Sequence, residues 1–79
     1  MTAKPTAGEL GISLAGVQWK SSGAGRGAIE VAFVTAAGAD WVLLRTREDD
    51  SGLVSVFTRF EWECFLDGAQ KHEFDLETL

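Results

Sequence analysis

The middle of the chain alternates apolar and polar residues at the two-residue period of a β-strand. Ile29, Val31 and Phe33 would share one face of a half-buried strand, and Glu30 would lie on the opposite face. Residues 36–40, which are small and end in an aspartate, follow as a turn-forming stretch. The pattern therefore predicts a strand that leads into a hairpin.

Two later stretches are apolar at successive positions, as in strands that are covered on both faces. Residues 41–46 form the first of them, and residues 53–57 form the second, after a polar turn at 48–52. A short strand is also expected around Val17 and Trp19, which alternate with polar neighbours. These segments predict an antiparallel sheet of three to four strands.

A helix start follows the last predicted strand. Thr58 and Glu61 have the spacing of a capping box, in which each side chain accepts a hydrogen bond from the other residue's backbone N–H. Phe57 and Trp62 have the spacing of the hydrophobic staple that accompanies such a start. One apolar stripe continues from there: Trp62, Phe65, Leu66 and Ala69. We expect a helix over about residues 59–71.

The order of these elements predicts an α+β fold, a small antiparallel β-sheet followed by one C-terminal α-helix packed on it. One helix covers one face of a sheet, yet the second face also carries apolar residues at or beside four positions: Val42, Leu44, Val54 and Val56. We therefore expect a homodimer through this second face. Residues 1–15 have no sustained period and are expected to form a flexible N-terminal arm, which leaves 16–79 as the single domain.

Composition restricts the chemistry that this domain can perform. With 79 residues, one cysteine and one histidine, the chain has no pair of cysteines for an internal disulfide and too few ligands for a usual zinc site. Cys64 is interpreted as a buried or half-buried structural thiol, and the glycines at 23, 25 and 27 lack the Lys-Ser/Thr of a phosphate-binding loop. We predict no catalytic residue, metal, cofactor or small-molecule substrate. With no secretory signal and no apolar run of about 20 residues, we expect a cytoplasmic protein that does not bind a membrane.

The charge is uneven along the chain. The net charge is −5, and residues 48–79 carry two Lys/Arg against nine Asp/Glu. Such an acidic half disfavours direct binding to nucleic acid, although it is also compatible with an ordinary solvated face. The alternative of nucleic-acid binding would use the bases of the first half, which are Lys20, Arg26, Arg45 and Arg47.

Several ordered motifs over residues 17–75 resemble the actinobacterial family called domain of unknown function 397. Two segments are similar to the family's first motifs: the opening Trp19-Lys20-Ser21-Ser22 and the strand Ile29-Glu30-Val31-Ala32. The segment from Val42 to Arg45 is similar to a later strand of the family. The ending of the chain is also similar, at Phe57-Thr58, Glu61-Trp62, Phe65, Gly68 and Glu73-Phe74-Asp75. The chain departs from the family at Ala28, where a cysteine is usual, and in the turn 45–48, which is similar to that of the family's developmental regulators.

The resemblance implies a function in transcription regulation. Members of that family are commonly encoded beside helix-turn-helix transcription factors, are thought to bind and modulate them, and include self-associating regulators of development and sporulation. On this basis we expect a non-enzymatic regulator that binds such a factor but not DNA. Six residues are the candidates for partner contact: Trp19, Lys20, Glu30, Arg45, Glu63 and Asp67. Thr58, Glu61, Trp62 and Phe65 are expected to be structural, and a component of a toxin–antitoxin-like pair is the alternative function.

Overall fold

The computed structural model describes residues 4–23, 25, 27–47 and 51–78, and has the predicted α+β architecture. Its strands are β1 (Lys20–Ser21), β2 (Ile29–Ala36), β3 (Ala39–Thr46) and β4 (Ser55–Thr58), and its helix is α1 (Arg59–Gln70). Short 3-10 turns lie at Leu14–Gly16 and Leu76–Thr78. The sheet is antiparallel in the order β1-β2-β3-β4, so each strand pairs with its neighbour in sequence. Among the described residues, no helix is both long enough and apolar enough to cross a bilayer.

The β2–β3 hairpin forms at the predicted turn. Ala37 and Gly38 both have positive φ angles, 51° and 77°, as the two central residues of a type I′ hairpin turn require. Thr35 Oγ1 lies 2.9 Å from Asp40 Oδ1 across the strand ends, and Trp41 Nε1 donates to the Ala36 carbonyl at 2.9 Å. The register that follows places Glu30 opposite Arg45 on the neighbouring strand.

The start of α1 is the capping box that the sequence predicts. The Glu61 N–H donates to Thr58 Oγ1 at 3.1 Å, and the Thr58 N–H donates to Glu61 Oε1 at 2.9 Å. The rings of Phe57 and Trp62 lie 6.4 Å apart, as a hydrophobic staple places them. The helix ends at Gln70, one residue before the expected end.

One face of the sheet is covered by the N-terminal part of the chain. Ala32 and Leu43 are fully buried there, together with Ala7. The half-buried residues packed around them are Ile12, Leu14, Val17, Trp19, Val34, Val54 and Val56. Ala7, Ile12 and Leu14 thus contribute to the core of the domain, and the expected boundary at residue 15 does not correspond to a break in packing.

This covering corrects the expectation of a bare second face. Val54 and Val56 lie beneath the N-terminal segment, whereas Val42 and Leu44 lie on the side of α1. The expected strand at Val17 and Trp19 is also displaced, because both residues pack on the core and the ladder with β2 begins only at Lys20. The sequence pattern shows which residues share a face but not which distant segment will cover it.

Candidate protein-binding surface

The apolar side of β2 is more exposed than the sequence predicts. Phe33 is 54% exposed and Ile29 is also exposed, although both were expected on a half-buried face. The reason is the position of α1, which contacts β3 and β4 but makes no comparable contact with β2. The helix therefore covers one half of its side of the sheet and leaves the apolar side chains of β2 beyond its edge.

A chain of ring contacts joins this exposed part of β2 to the helix. The Phe33 ring meets Trp62 edge-on at 6.4 Å between centroids, and Trp62 lies 5.3 Å from Phe65. Phe65 in turn stacks on Phe74 at 5.7 Å. Phe65 and Phe74 are 46% and 55% exposed. We call this group the aromatic surface and include in it the exposed aliphatic residue on the same side of β2 and the one on the stripe of α1: Ile29, Phe33, Trp62, Phe65, Leu66 and Phe74.

The helix stripe is therefore only partly used in packing. Of the four residues expected to lie on the sheet, Trp62 is half-buried while Phe65, Leu66 and Ala69 are exposed. An amphipathic helix normally buries such a stripe. Here most of the stripe contributes to the aromatic surface.

Phe74 is held against α1 by the turn that ends the helix. The His72 N–H donates to the Ala69 carbonyl at 3.1 Å and the Glu73 N–H donates to the Gly68 carbonyl at 2.9 Å, which is the hydrogen-bond pattern of a Schellman motif. His72 takes the left-handed conformation with φ 63°, a position that usually holds glycine. Gly68 is buried beneath Phe74, and a Cβ atom there would lie 2.6 Å from Phe74 Cε2. The absence of a side chain at Gly68 thus allows the ring to reach the helix.

The two acidic candidates on α1 are exposed, but each is paired with a base four residues away in sequence. Arg59 Nε lies 3.0 Å from Glu63 Oε1, and Lys71 Nζ lies 2.8 Å from Asp67 Oδ2. Glu63, then Asp40, raise the pKa of the Arg59 guanidinium above its ordinary value. These pairs reduce the charge that Glu63 and Asp67 can offer to a partner.

Glu61 has a structural role, as expected. The Thr58 N–H and then the Lys4 ammonium, which lies 2.9 Å from Glu61 Oε1, hold the pKa of this carboxyl below its ordinary value. Lys4 Nζ also lies 4.9 Å from the centre of the Phe57 ring. The pair fastens the N-terminal segment to the first turn of α1.

Glu30 corrects the predicted partner-contact set, because it is only 6% exposed. Arg45 Nε donates to Glu30 Oε1 at 2.9 Å, and Arg47 Nε donates to Glu30 Oε2 at 3.3 Å. The Arg45 guanidinium lies 3.8 Å from the centre of the Trp19 ring. Glu30, Arg45 and Trp19 thus form one stack on the face that the N-terminal segment covers. Lys20 is separate from them, since its Nζ lies 5.1 Å from the centre of the Phe33 ring.

The six candidates for partner contact thus lie in three separate places. None of the six belongs to the aromatic surface. Sequence reasoning missed Ile29, Phe33, Leu66 and Phe74. The sequence did contain a signal for this exposed surface, because one helix of about 12 residues is too narrow to cover a sheet of four strands. Within the described ranges, no three His, Cys, Asp or Glu residues are placed to hold a metal ion. Cys64 is exposed, so the expectation of a buried or half-buried thiol is wrong. Two residues of the glycine-rich loop, Ala24 and Arg26, lie outside the described residues.

Comparison with family models, curated proteins and solved structures finds no match to this chain. The resemblance to domain of unknown function 397 therefore rests on the motifs themselves. Near the C-terminus, the residues that carry it are also those that build the capping box and the Gly68–Phe74 contact. Trp62 and Phe65 also carry the resemblance, and their ring contact links the two ends of the aromatic surface.

Proposed function

We propose that this protein is a non-enzymatic regulator that binds a helix-turn-helix transcription factor through the aromatic surface, without binding DNA itself. The observation that carries the proposal is the row of ring contacts from Phe33 to Phe74, in which Phe33, Phe65 and Phe74 are exposed and Trp62 is half-buried. Large exposed apolar patches on soluble domains mark interaction sites, and aromatic residues dominate the binding energy of protein interfaces. The class of the partner comes from the family resemblance.

The charge near the aromatic surface supports a protein partner over DNA. Residues 59–78 carry six Asp/Glu against two Lys/Arg. A surface that binds the phosphate backbone needs the opposite excess, because affinity comes from neutralising phosphates with Lys and Arg. The regulator would then act on transcription through the factor that it binds.

The test is capture of partners by the tagged full chain from host-cell lysate, using two matched phenylalanine variants. Phe65→Ala removes a ring of the aromatic surface, whereas Phe60→Ala removes a ring from the same helix that is 73% exposed and makes none of the surface's ring contacts. We expect the wild type and Phe60→Ala to retain a helix-turn-helix protein in stoichiometric amount. Phe65→Ala should weaken its affinity about 30-fold, as for an interface hot spot worth about 2 kcal/mol.

Two results would contradict the proposal. Retention of the factor by Phe65→Ala at wild-type affinity would place the interface elsewhere. Capture of the chain alone would favour the toxin–antitoxin alternative. So would capture of a protein encoded by a neighbouring gene, if expression of the chain without that gene arrests growth. Circular dichroism of both variants would show that loss of binding is not loss of folding, and a gel shift with the isolated protein should show no DNA binding at physiological salt.

A further inference from the structure

One edge of β2 is covered only in part by the neighbouring strand. In the described part of the chain, β1 pairs with β2 at Glu30 and Val31. Before β1 the chain leaves this ladder, because Val17 and Trp19 pack on the core of the face that the N-terminal segment covers. β2 continues for residues 32–36, which extend for about 17 Å. No strand among the described residues pairs with this stretch on its outer side.

The hydrogen-bond pattern shows which backbone groups lie on this open edge. The Ser22 N–H donates to the Ile29 carbonyl at 2.8 Å, so Ile29 presents its backbone groups to the side of β1. Alternate residues of a strand face the same neighbour, and the edge therefore carries the N–H and C=O groups of Phe33 and Thr35. Val34 instead faces β3. Within the described residues, these four edge groups have no hydrogen-bond partner.

The complement of such an edge is the backbone of another extended chain. A row of N–H and C=O groups along a strand is paired by a further strand, and open edges are templates for strand addition. Phe33 is 54% exposed and Thr35 is exposed as well, so the rest of the domain covers neither residue. An antiparallel segment of about five residues, laid in line with β1, would bond to all four groups.

An added strand would also contact the aromatic surface. Cross-strand neighbours lie about 5 Å apart on the same face of a sheet, so the residue opposite Phe33 would lie beside its ring. That ring meets Trp62 edge-on, on the side of α1. The residue opposite Thr35 would lie next to a depression of about 350 Å³ that these three residues help to line. A segment with aromatic or β-branched residues at alternate positions suits both places.

A second copy of β2 fits this edge less well than a segment of another protein does. Two-fold antiparallel pairing of Phe33 with Thr35 of the second copy would place Ala37 of that copy opposite Val31, where Lys20 already lies. Pairing centred on Thr35 would instead bring Phe33 against Ala37, a turn residue with φ 51° that does not continue a strand. Self-pairing is therefore obstructed by β1 or limited by the hairpin turn.

We propose that the open edge of β2 accepts an extended segment of the partner as an additional antiparallel strand, in line with β1. This inference deepens the proposed function and rests on it for the identity of the protein that supplies the segment. Backbone hydrogen bonds to Phe33 and Thr35 contribute affinity, and side chains at alternate positions of the segment provide specificity. The strand and the aromatic surface then form one continuous interface.

Hydrogen exchange followed by NMR tests the edge in the isolated chain. The amide protons of Phe33 and Thr35 should exchange much faster than that of Val34, which faces β3. Linear nine-residue peptides selected from a random display library then serve as the probe. Binding of a selected peptide should slow the exchange of both edge amides by about tenfold or more. Slow exchange in the free chain, or no protection by any selected peptide, would overturn the inference.

A pair of variants tests one donor of the edge. Thr35→Pro removes the outward N–H, and proline is tolerated at such an edge position. Thr35→Ala is the matched control, since it loses the same side-chain contact with Asp40 but keeps the N–H. We expect Thr35→Pro to weaken peptide binding about tenfold, as for loss of one hydrogen bond, and Thr35→Ala to bind as the wild type does. Equal affinity of the two variants would overturn the inference.

N-methylation of the selected peptide gives a test that leaves the protein unaltered. Methyl groups on alternate backbone nitrogens remove the donors of one edge of a strand and leave the other edge intact. One alternate set should therefore abolish binding, and the other should change the affinity by less than about threefold. Equal effects of the two sets would show that the peptide does not bind as a strand.

These outcomes are distinguishable from failure of the proposed function. If lysate capture yields no helix-turn-helix protein but peptides still bind with the alternating dependence on N-methylation, the partner class is wrong and the strand addition stands. If a helix-turn-helix protein is captured through Phe65 but binds Thr35→Pro and Thr35→Ala equally, the regulator function stands and the strand addition is wrong. Sedimentation that shows a dimer disrupted by Thr35→Pro would assign the edge to a second copy and overturn the inference.

Discussion

The ion-pair cluster around Glu30 is expected to stabilise the fold and to have no direct part in partner binding. The Glu30 carboxylate accepts hydrogen bonds from two guanidinium groups, one of which also lies over the Trp19 ring. Glu30→Gln keeps the size of the side chain but removes its charge and presents an amide N–H₂ to one of the two arginines. It therefore tests the cluster without creating a large cavity.

The magnitude follows from the burial of the cluster. Removing one partner of a fully buried ion pair costs about 3–5 kcal/mol. Here the side chains of Arg45 and Arg47 are each 35% exposed, so water solvates part of the charge that is left. A hydrogen bond to a charged group contributes about 1.5–3 kcal/mol, and we expect a loss of about 2 kcal/mol. That is a large part of the roughly 4–12 kcal/mol available to a domain of this length.

Urea unfolding followed by tryptophan fluorescence measures this loss. With a urea dependence of about 1–2 kcal/mol per molar, the midpoint should fall by about 1–2 M. Asp67→Asn is the matched control, since it neutralises an exposed acid that is also paired with a base, and it should change stability by less than about 0.5 kcal/mol. Equal midpoints for the two variants would refute the reasoning. A folded Glu30→Gln protein with reduced partner affinity would return Glu30 to the interface.

Three further predictions concern the helix and its ends. Thr58→Ala should lower stability in urea by about 1 kcal/mol, whereas Thr58→Ser, which keeps the acceptor, should unfold near the wild-type midpoint; equal loss in both would contradict the capping role. Because the pKa of Glu61 is lowered by the Thr58 N–H and Lys4, its contribution to stability is present above its ordinary pKa of 4.5 and is lost as the pH falls through the lowered value. Acid unfolding of Glu61→Gln, followed by circular dichroism, should lack this dependence, and an unchanged profile would contradict it. Gly68→Ala should gain up to about 1 kcal/mol of helix propensity but displace the Phe74 ring, so the urea midpoint should change little while partner affinity falls; unchanged affinity would show that Phe74 is not needed for binding.

Local interactions explain the parts of the structure that the sequence predicts well. The capping box depends on Thr58 and Glu61, three residues apart, and the hairpin turn depends on Ala37 and Gly38. These contacts form within a few residues of each other, so their residue types and spacing are sufficient to predict them. The antiparallel order follows as well, because short connections join strands that are neighbours in the sheet.

The orientation of the faces could not be predicted in the same way. Alternation places Ile29, Val31 and Phe33 on one face, and Glu30 and Ala32 on the other, but either face could have been the more deeply buried one. The structure buries Glu30 and Ala32 most completely. That outcome depends on the N-terminal segment, whose Ala7 reaches Ala32 across many residues of sequence, and on two arginines that satisfy the charge of Glu30. Neither contact has a local signal.

The way the two faces are covered also separates folding from binding in this chain. The N-terminal segment closes one face around Leu43, while on the other face the described residues contain one α-helix, α1, which contacts β3 and β4. Phe33 and Phe65 consequently keep about half of their surface in water, and the fold gains only part of the stabilisation that complete burial of an aromatic ring provides. Their truncation should therefore affect partner affinity more than the unfolding midpoint. Leu43→Ala should act in the opposite way and lower stability by about 2–5 kcal/mol, because Leu43 is fully buried.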